Sequence, residues 1–332
     1  MDKRLDVACV GILVADAIGR PIDGIPERGK LQLVDRIDLF LGGCASNAGI
    51  DLARIGLAAG VVGKIGDDGF GRYIRDTLVR EGVDVTGLAT DPSVGTSASL
   101  VIVSGDGERS FLHCLGANGE FRLSDVDMDV VRAAPILFIA GTMLMPAFDG
   151  APAAELLREA SAMGRTTVLD TAWDSQGRWM KVLAPCLPHL DYFLPSYEEA
   201  VQLSGETEPV AIARFFLGKG VRKAVAVKLG KDGCLVAGAD GFLARIPTYG
   251  SAKVVETTGA GDAFCAGFVA GLAKGWDLLE CARFANATGT FCVTAAGATT
   301  GMRPLAEIQA YMAAHPDENV PQVLHAGQGP GR

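Results

Sequence analysis

The sequence predicts an α/β fold: a mostly parallel central sheet with helices on both faces, and a small second sheet projecting from it. Two observations carry this expectation. Short apolar, β-rich runs alternate with helical runs over most of the 332 residues, the pattern of strands joined by helical crossovers. Two stretches, Ile22–Leu41 and Thr96–Leu115, break that rhythm, and strands with no helix between them do not belong in a parallel sheet.

The elements follow in order. Val7–Leu13 is short, apolar and strand-like. Ile22–Leu41 is polar and extended, with Pro21, Pro26 and Gly29 in or beside it. Ser46–Ile55 reads as a helix, because Ala48, Leu52 and Ile55 share a face and Gly56 ends it. Ala59–Ile65 is a strand, and a helix from Gly69 to Glu81 stops at Gly82. Thr96–Leu115 reads as a hairpin: Ser97–Val103, a turn at Ser104–Glu108, then Arg109–Leu115. Ile136–Ala140, Thr166–Asp170, Tyr192–Leu194 and Ala224–Leu229 read as buried strands. Ala151–Met163, Ser196–Leu203, Val210–Leu217, Asp262–Leu272 and Leu278–Ala295 read as helices. Residues 1–315 form one domain on this reading, with projecting segments at about 17–41 and 94–118; 316–332, rich in Pro, Gly and polar residues, read as a weakly ordered tail. Both projecting segments leave the carboxyl end of the sheet, where open α/β sheets bind ligands. A sheet there can serve as a lid that excludes water, as a dimer contact, or as both.

Composition narrows the function. The chain is 49% hydrophobic and 21% charged, which is ordinary for a globular protein. A net charge of −9 argues against a nucleic-acid partner, though helix termini and a divalent cation can still hold an anionic nucleotide. The 8 cysteines form no C-x-x-C pair and most lie in apolar runs, as core residues of a reducing cytosol do. The 4 histidines show no zinc spacing. The N-terminus has no signal-peptide core, and Gly or charge interrupts every long apolar run. The expectation is a soluble cytoplasmic protein without a membrane partner.

Glu256-Thr257-Thr258-Gly259-Ala260-Gly261-Asp262 combines a glycine-rich turn, a helix N-terminus and a carboxylate. Bare amides and the helix dipole stabilise a phosphoryl group, and a carboxylate beside them can take a proton from an attacking hydroxyl. The same Asp can instead cap the helix. Leu41-Gly42-Gly43-Cys44-Ala45-Ser46-Asn47 is a second glycine turn opening a helix; Asn47 can bind a sugar's hydroxyls or act as a cap. Asp16, just after the first strand, can clamp a diol or merely start a loop. Three other schemes fail. Ala58–Ile65 lacks the first Gly and the hydroxyl residue of a Walker loop, no G-x-G-x-x-G follows the first strand, and no G-x-S-x-G occurs.

These two signatures, in this order and with the hairpin between them, resemble the ribokinase-like (phosphofructokinase-B) carbohydrate kinases. Gly42-Gly43 with Ala45, Asn47 and Ala48 matches the N-terminal signature, and Glu256–Asp262 matches the C-terminal one, usually D-T-x-G-A-G-D. The similarity covers roughly residues 5–315, including Ile65-Gly66-Asp67-Asp68-Gly69-Phe70-Gly71. The resemblance implies a three-layer α/β/α sandwich with a β-sheet lid. It implies ATP- and Mg²⁺-dependent phosphorylation of a primary hydroxyl on a sugar-like alcohol, and a homodimer joined through the lid. By similarity, Asp262 is the base and the amides of Gly259, Ala260 and Gly261 form the anion hole. Asp16, Gly42, Gly43 and Asn47 match positions that hold the sugar; Lys228, Gly230 and Asn286 fall where the family binds nucleotide. Glu199 matches the Glu that organises Mg²⁺ through water, with Ser196 replacing the usual Asn before it. Glu256 stands where the family has an Asp that helps hold a monovalent cation, so the resemblance implies a potassium site of altered geometry there.

Two rivals stay open on sequence. The same scaffold accepts nucleosides of the adenosine or inosine type, and a sugar-binding regulator can keep the fold without turnover. Arg109, Phe111 and His113 alternate on one lid strand and share a face. They can meet the substrate, with Phe111 stacking on a ring, or simply build the lid sheet or a dimer contact.

Overall fold

The structure is a computed structural model that describes residues 4–106 and 108–324. In chain order the first half comprises β1 (Val7–Gly11), β2 (Val14–Arg20), β3 (Arg36–Gly42), α1 (Cys44–Ile55), β4 (Ala59–Gly66), α2 (Gly69–Arg80), β5 (Leu88–Asp91), β6 (Ala98–Val103), β7 (Arg109–Cys114), α3 (Gly116–Gly119), α4 (Met128–Ala133), β8 (Ile136–Thr142) and α5 (Ala151–Ala162). The second half adds β9 (Thr166–Thr171), α6 (Met180–Leu183), β10 (Tyr192–Phe193), α7 (Tyr197–Ser204), α8 (Pro209–Gly218), β11 (Ala224–Lys228), β12 (Cys234–Gly238), β13 (Leu243–Ile246), α9 (Ala260–Ala273), α10 (Leu278–Cys292), α11 (Leu305–Ala314) and β14 (Gln322–Val323).

Ten strands form the central sheet in the order β14-β13-β12-β11-β10-β9-β8-β1-β4-β5. The run from β11 through β5 is parallel throughout, and β12, β13 and β14 add an antiparallel edge. Strand side chains point alternately to opposite faces, and the two cores follow from that. Val7 and Cys9 of β1, with Ile136 and Phe138 of β8, pack with α1, α2, α9 and α10. Ala8 and Val10, with Leu137 and Ile139, pack with α4, α5, α7 and α8. Both faces are covered, which is why these strands read as continuous apolar runs.

Four strands form the second sheet, in the order β3-β2-β6-β7. Here the structure corrects the reading of Asp16. It does not start a loop but sits within β2, paired with Phe40 on β3 and Ser99 on β6. The lid therefore begins at Val14, and the stretch between Arg20 and Arg36 carries no strand. Side chains tie the two crossings between sheets. Asn118 bridges the backbone of Leu13 at both its N–H (3.2 Å) and its carbonyl (2.9 Å). Ser97 Oγ donates to the Leu115 carbonyl. Asp68 caps α2 at Gly71 N (2.8 Å) and also accepts from the amide (2.7 Å) and hydroxyl (2.8 Å) of Thr96. The Ile65–Gly71 motif thus anchors the root of the hairpin.

The expected loose tail also needs correction over its first part. Asn319 is fully buried, Gln322–Val323 pairs with β13, and Leu324 N donates to Leu243 O at 2.8 Å. The remainder, 325–332, lies outside the described residues. Lys64, from the failed Walker match, is a structural cation between Asp125 (3.0 Å) and Asp91 (3.3 Å). Among the described residues no helix is long and apolar enough to cross a membrane.

Candidate active site

The two glycine-led motifs meet. Asn47, in the first turn of α1, donates through Nδ2 to Asp262 Oδ2 at 2.8 Å across 215 residues of sequence. Neither side chain caps its own helix: α1 is capped by Gly43 and α9 by Gly259, with no side-chain cap bond at either. Asp262 is half-buried in the first turn of α9, and Asn47 Oδ1 has no partner. The alternative of simple helix capping is therefore not what these residues do.

The glycines are required by their neighbours. A Cβ on Gly42 would lie 2.1 Å from Asp16 Oδ2, so only glycine leaves room for that carboxylate. Gly43 has φ 92, a left-handed conformation that glycine adopts without strain. Gly259 has φ 82, and a Cβ there would lie 2.5 Å from Ala298 O, so the turn packs directly on the loop after α10. Of the three amides expected to face an anion, that of Ala260 already donates to Thr257 O at 3.2 Å.

A cavity of about 660 Å³ opens at this point. Asp262 and the Gly259–Gly261 turn line one wall. Lys228, Gly230, Asn286 and Glu199 also line it, as do Cys44, Asp170 and Thr171, whereas Asp16, Gly42, Gly43 and Asn47 do not. Asp170 and Lys228 lie at the carboxyl ends of parallel strands β9 and β11, where such sheets place ligand sites.

On the lid, Phe40, Asp16, Ser99 and His113 form one cross-strand row. Ser99 Oγ lies 3.1 Å from His113 Nδ1. Burial raises the Asp16 pKa above its usual value, against a Ser99 hydrogen bond and the pull of His113. Burial lowers the His113 pKa, with Asp16 opposing.

This constellation can be set against known proteins. The sequence model for the pfkB family carbohydrate kinases matches residues 4–304. The chain belongs to the pfkB family of carbohydrate kinases. It is 30% identical to the aminoimidazole riboside kinase of Salmonella typhimurium, over 89% of this chain and 93% of that one. It is 27% identical to the 2-dehydro-3-deoxygluconokinase of Bacillus subtilis, over 87% and 91% of the two chains. A solved ribokinase from Thermotoga maritima superposes with a TM-score of 0.80 at 26% identity, covering 93% of this chain and 99% of its own.

Within this pfkB kinase, the remaining expected residues are held as follows. Lys228 Nζ lies 2.7 Å from Asp170 Oδ1; Asp170 is buried, and 10% of the Lys228 side chain is exposed. Burial opposes the charge of Lys228, but Asp170, Cys265 and Glu199 more than offset it, so its pKa is raised and it stays cationic. Glu199 Oε2 accepts from Thr171 Oγ1 at 2.8 Å. Asn286 donates to the carbonyls of Ile246 (3.0 Å) and Pro247 (3.1 Å), so it fixes the β13 exit as well as lining the cavity. Ser196 is the cap residue of α7 and lines the cavity without a side-chain cap bond.

Sequence reasoning missed three members. Asp170 carried a usable signal, an acid at the end of an apolar strand run. Cys44 touches Asp262; burial and that carboxylate hold its thiol pKa well above the usual range, so it is a neutral neighbour. Asp51, one turn after Asn47, is fully buried with neither carboxylate oxygen partnered. Burial, then Asp262, push its pKa well up.

Proposed function

We propose that this kinase transfers the γ-phosphoryl group of ATP to a primary hydroxyl of a sugar or sugar-like alcohol, with Asp262 as the general base. The Asn47–Asp262 contact carries the reading: it fixes a half-buried carboxylate beside a helix N-terminus and a bare glycine turn. Asp262 takes the hydroxyl proton as the oxygen attacks phosphorus and the bond to ADP breaks. The turn at Gly259, Ala260 and Gly261 faces the charge that develops. With the Ala260 amide already used in its turn, the amides of Gly259 and Gly261 carry most of that role.

Asp16 accepts the substrate's hydroxyls, Gly42 and Gly43 let the ligand approach the backbone, and Asn47 completes the clamp. Gly230 and Asn286 line the nucleotide end. Lys228 is committed to Asp170, so it orders the floor under Gly261 while adding positive field. The donor set fits a hydrated Mg²⁺: Glu199 is an acid on the cavity wall, oriented by Thr171. When bound, Mg²⁺ neutralises phosphate charge; Glu199 would hold its water.

The substrate test is a screen of ATP-dependent ADP release with ribose, fructose, 2-keto-3-deoxygluconate, adenosine, inosine and aminoimidazole riboside. Turnover of a free sugar or sugar acid is expected; turnover of ribosides alone would replace this reading with a nucleoside kinase. One observation favours that second reading. Phe111 is 61% exposed on the Asp16 face of the lid, where it can stack on a base. For the substrate found, Asp16→Asn should raise KM about tenfold or more, since hydrogen bonds to charged groups contribute about 1.5–3 kcal/mol; an unchanged KM would remove Asp16 from the clamp.

The opposite face of the lid is apolar. Leu39, Ala17, Leu100 and Leu112 form one cross-strand row, and all three leucines are exposed. Such a patch favours a partner surface, and a second copy of the chain is the proposed one. Sedimentation should show a dimer that Leu112→Asp converts to monomer; a wild-type monomer would contradict it.

A further inference from the structure

Glu256 is where this chain departs from the signature it otherwise matches, and the structure shows what the longer carboxylate reaches. Arg109, at the start of lid strand β7, places Nη1 2.8 Å from Glu256 Oε1. The same nitrogen donates to Thr258 Oγ1 at 2.6 Å. The other carboxylate oxygen, Oε2, accepts from Gly297 N at 3.2 Å. The pair is shielded, with 29% of the Arg109 side chain and 15% of that of Glu256 exposed. From the other side, the amides of Val255 and Glu256 both donate to Val293 O, at 2.7 and 3.2 Å. The segment leading into Gly259 is thus clamped between the loop after α10 and a guanidinium from the lid.

A monovalent cation beside Glu256 does not fit this arrangement. Both carboxylate oxygens are engaged, and a fixed positive charge already lies at hydrogen-bond distance from one of them. A second cation there would be repelled by the first. These contacts do not fit the potassium site that the resemblance implied.

We propose that Arg109 is the resident cation of the anion-hole loop. Its guanidinium supplies the fixed positive charge beside Glu256 and Thr258, holds the turn whose amides face the phosphoryl group, and ties the lid to that turn. Arg109 touches neither phosphate nor substrate on this account; it is a positioning residue that acts through Glu256 and Thr258. Arginine suits the task, because it is always charged and its Nη1 alone carries two N–H donors, one for each acceptor. One consequence is independence from added monovalent cations. Another is that lid and anion hole assemble together.

The inference rests on reading Gly259–Gly261 as an anion hole, so its test has one readout with turnover and one without. The full-length protein is melted in KCl and in choline chloride at equal ionic strength. The wild type should melt at the same temperature in both; a potassium-specific rise would overturn the proposal even if no substrate were found. With the substrate from the screen, wild-type kcat should be equal in KCl, NaCl and choline chloride. Arg109→Ala should lower kcat on the order of tenfold or more with KM for ATP unchanged, and Arg109→Lys should recover much of the loss. Glu256→Gln, which keeps the shape and removes the charge, should reproduce the kcat loss. Activation of the wild type by potassium, or full kcat in both Arg109→Ala and Glu256→Gln, would overturn the assignment. Absence of turnover with every acceptor would count against the proposed function, leaving the melting comparison to judge Arg109.

Discussion

Asp262→Asn should lower turnover by at least about 10²-fold while leaving the fold and substrate binding intact, because general-base catalysis contributes about 10²–10⁴ in rate. The substitution isolates the proton transfer. An amide has nearly the shape of the carboxylate, and its oxygen can still accept from Asn47 Nδ2, which now lies 2.8 Å from Asp262 Oδ2. The link between α1 and α9 therefore persists, and with it the turn at Gly259. What is lost is the ability to take a proton. The check is kcat from ADP release, with circular dichroism and melting temperature showing a native fold. A folded variant with near-normal turnover would exclude Asp262 as the base.

The largest expected effect on stability is at Lys228. Lys228→Met should destabilise the protein by about 3–5 kcal/mol at alkaline pH, where Asp170 is ionised and the variant leaves that buried charge without its cation. Asp170 is 2% exposed, and its partner ammonium is 2.7 Å away. Burial pushes the Asp170 pKa from 3.8 up to about 7, against the pull of Lys228. The sign of the pH effect follows. A carboxyl whose folded pKa is raised favours the native state while protonated, below about 3.8, and loses that contribution as pH rises through about 7. In Lys228→Met the raised range moves higher, so its deficit should grow from mildly acidic to alkaline pH. Urea unfolding measures this, and Asp170→Asn added to Lys228→Met should recover most of the loss. A single variant within about 0.5 kcal/mol of wild type, as for an ordinary surface change, would show that the pair carries no such weight.

The parts of the fold that were legible in sequence share one physical cause. Ile136–Ala140 is an unbroken apolar run, and Thr166–Asp170 and Ala224–Leu229 are built round the apolar centres Val168-Leu169 and Ala224–Val227; these centres are buried between the helix layers and stand out between helical runs. Strand β2 was illegible because Val14–Arg20 mixes Ala, Asp and Gly, and its partners are the hairpin and β3 rather than a helix-covered neighbour. The β12–β13 hairpin escaped for a related reason: it extends the sheet edge antiparallel, without the crossover helix that marks the other strands. Gln322–Val323 is a two-residue strand whose order comes from β13, not from its own polar sequence.

At the site, Asp262, Gly42, Gly43 and Asn47 were visible as motifs, but their meeting was not, since it spans 215 residues. Glu256 was visible only as a departure from a pattern. Its partner Arg109 lies 147 residues away on another sheet, and no local spacing connects the two. Asp16 can be singled out in sequence as a diol clamp or a loop-starting acid, but its place within β2 is hidden because that strand is not legible.

The central claim is that these parts form one site for phosphoryl transfer to an alcohol, with Asp262 receiving the proton. Phosphorus NMR of wild type and Asp262→Asn, each with Mg²⁺-ATP and the substrate from the screen, tests it most directly. The account predicts a new phosphate monoester growing one-for-one with ADP in the wild type, and neither product from the variant on that timescale. ADP accompanied by inorganic phosphate instead of an ester, or equal ester formation by both proteins, would contradict it.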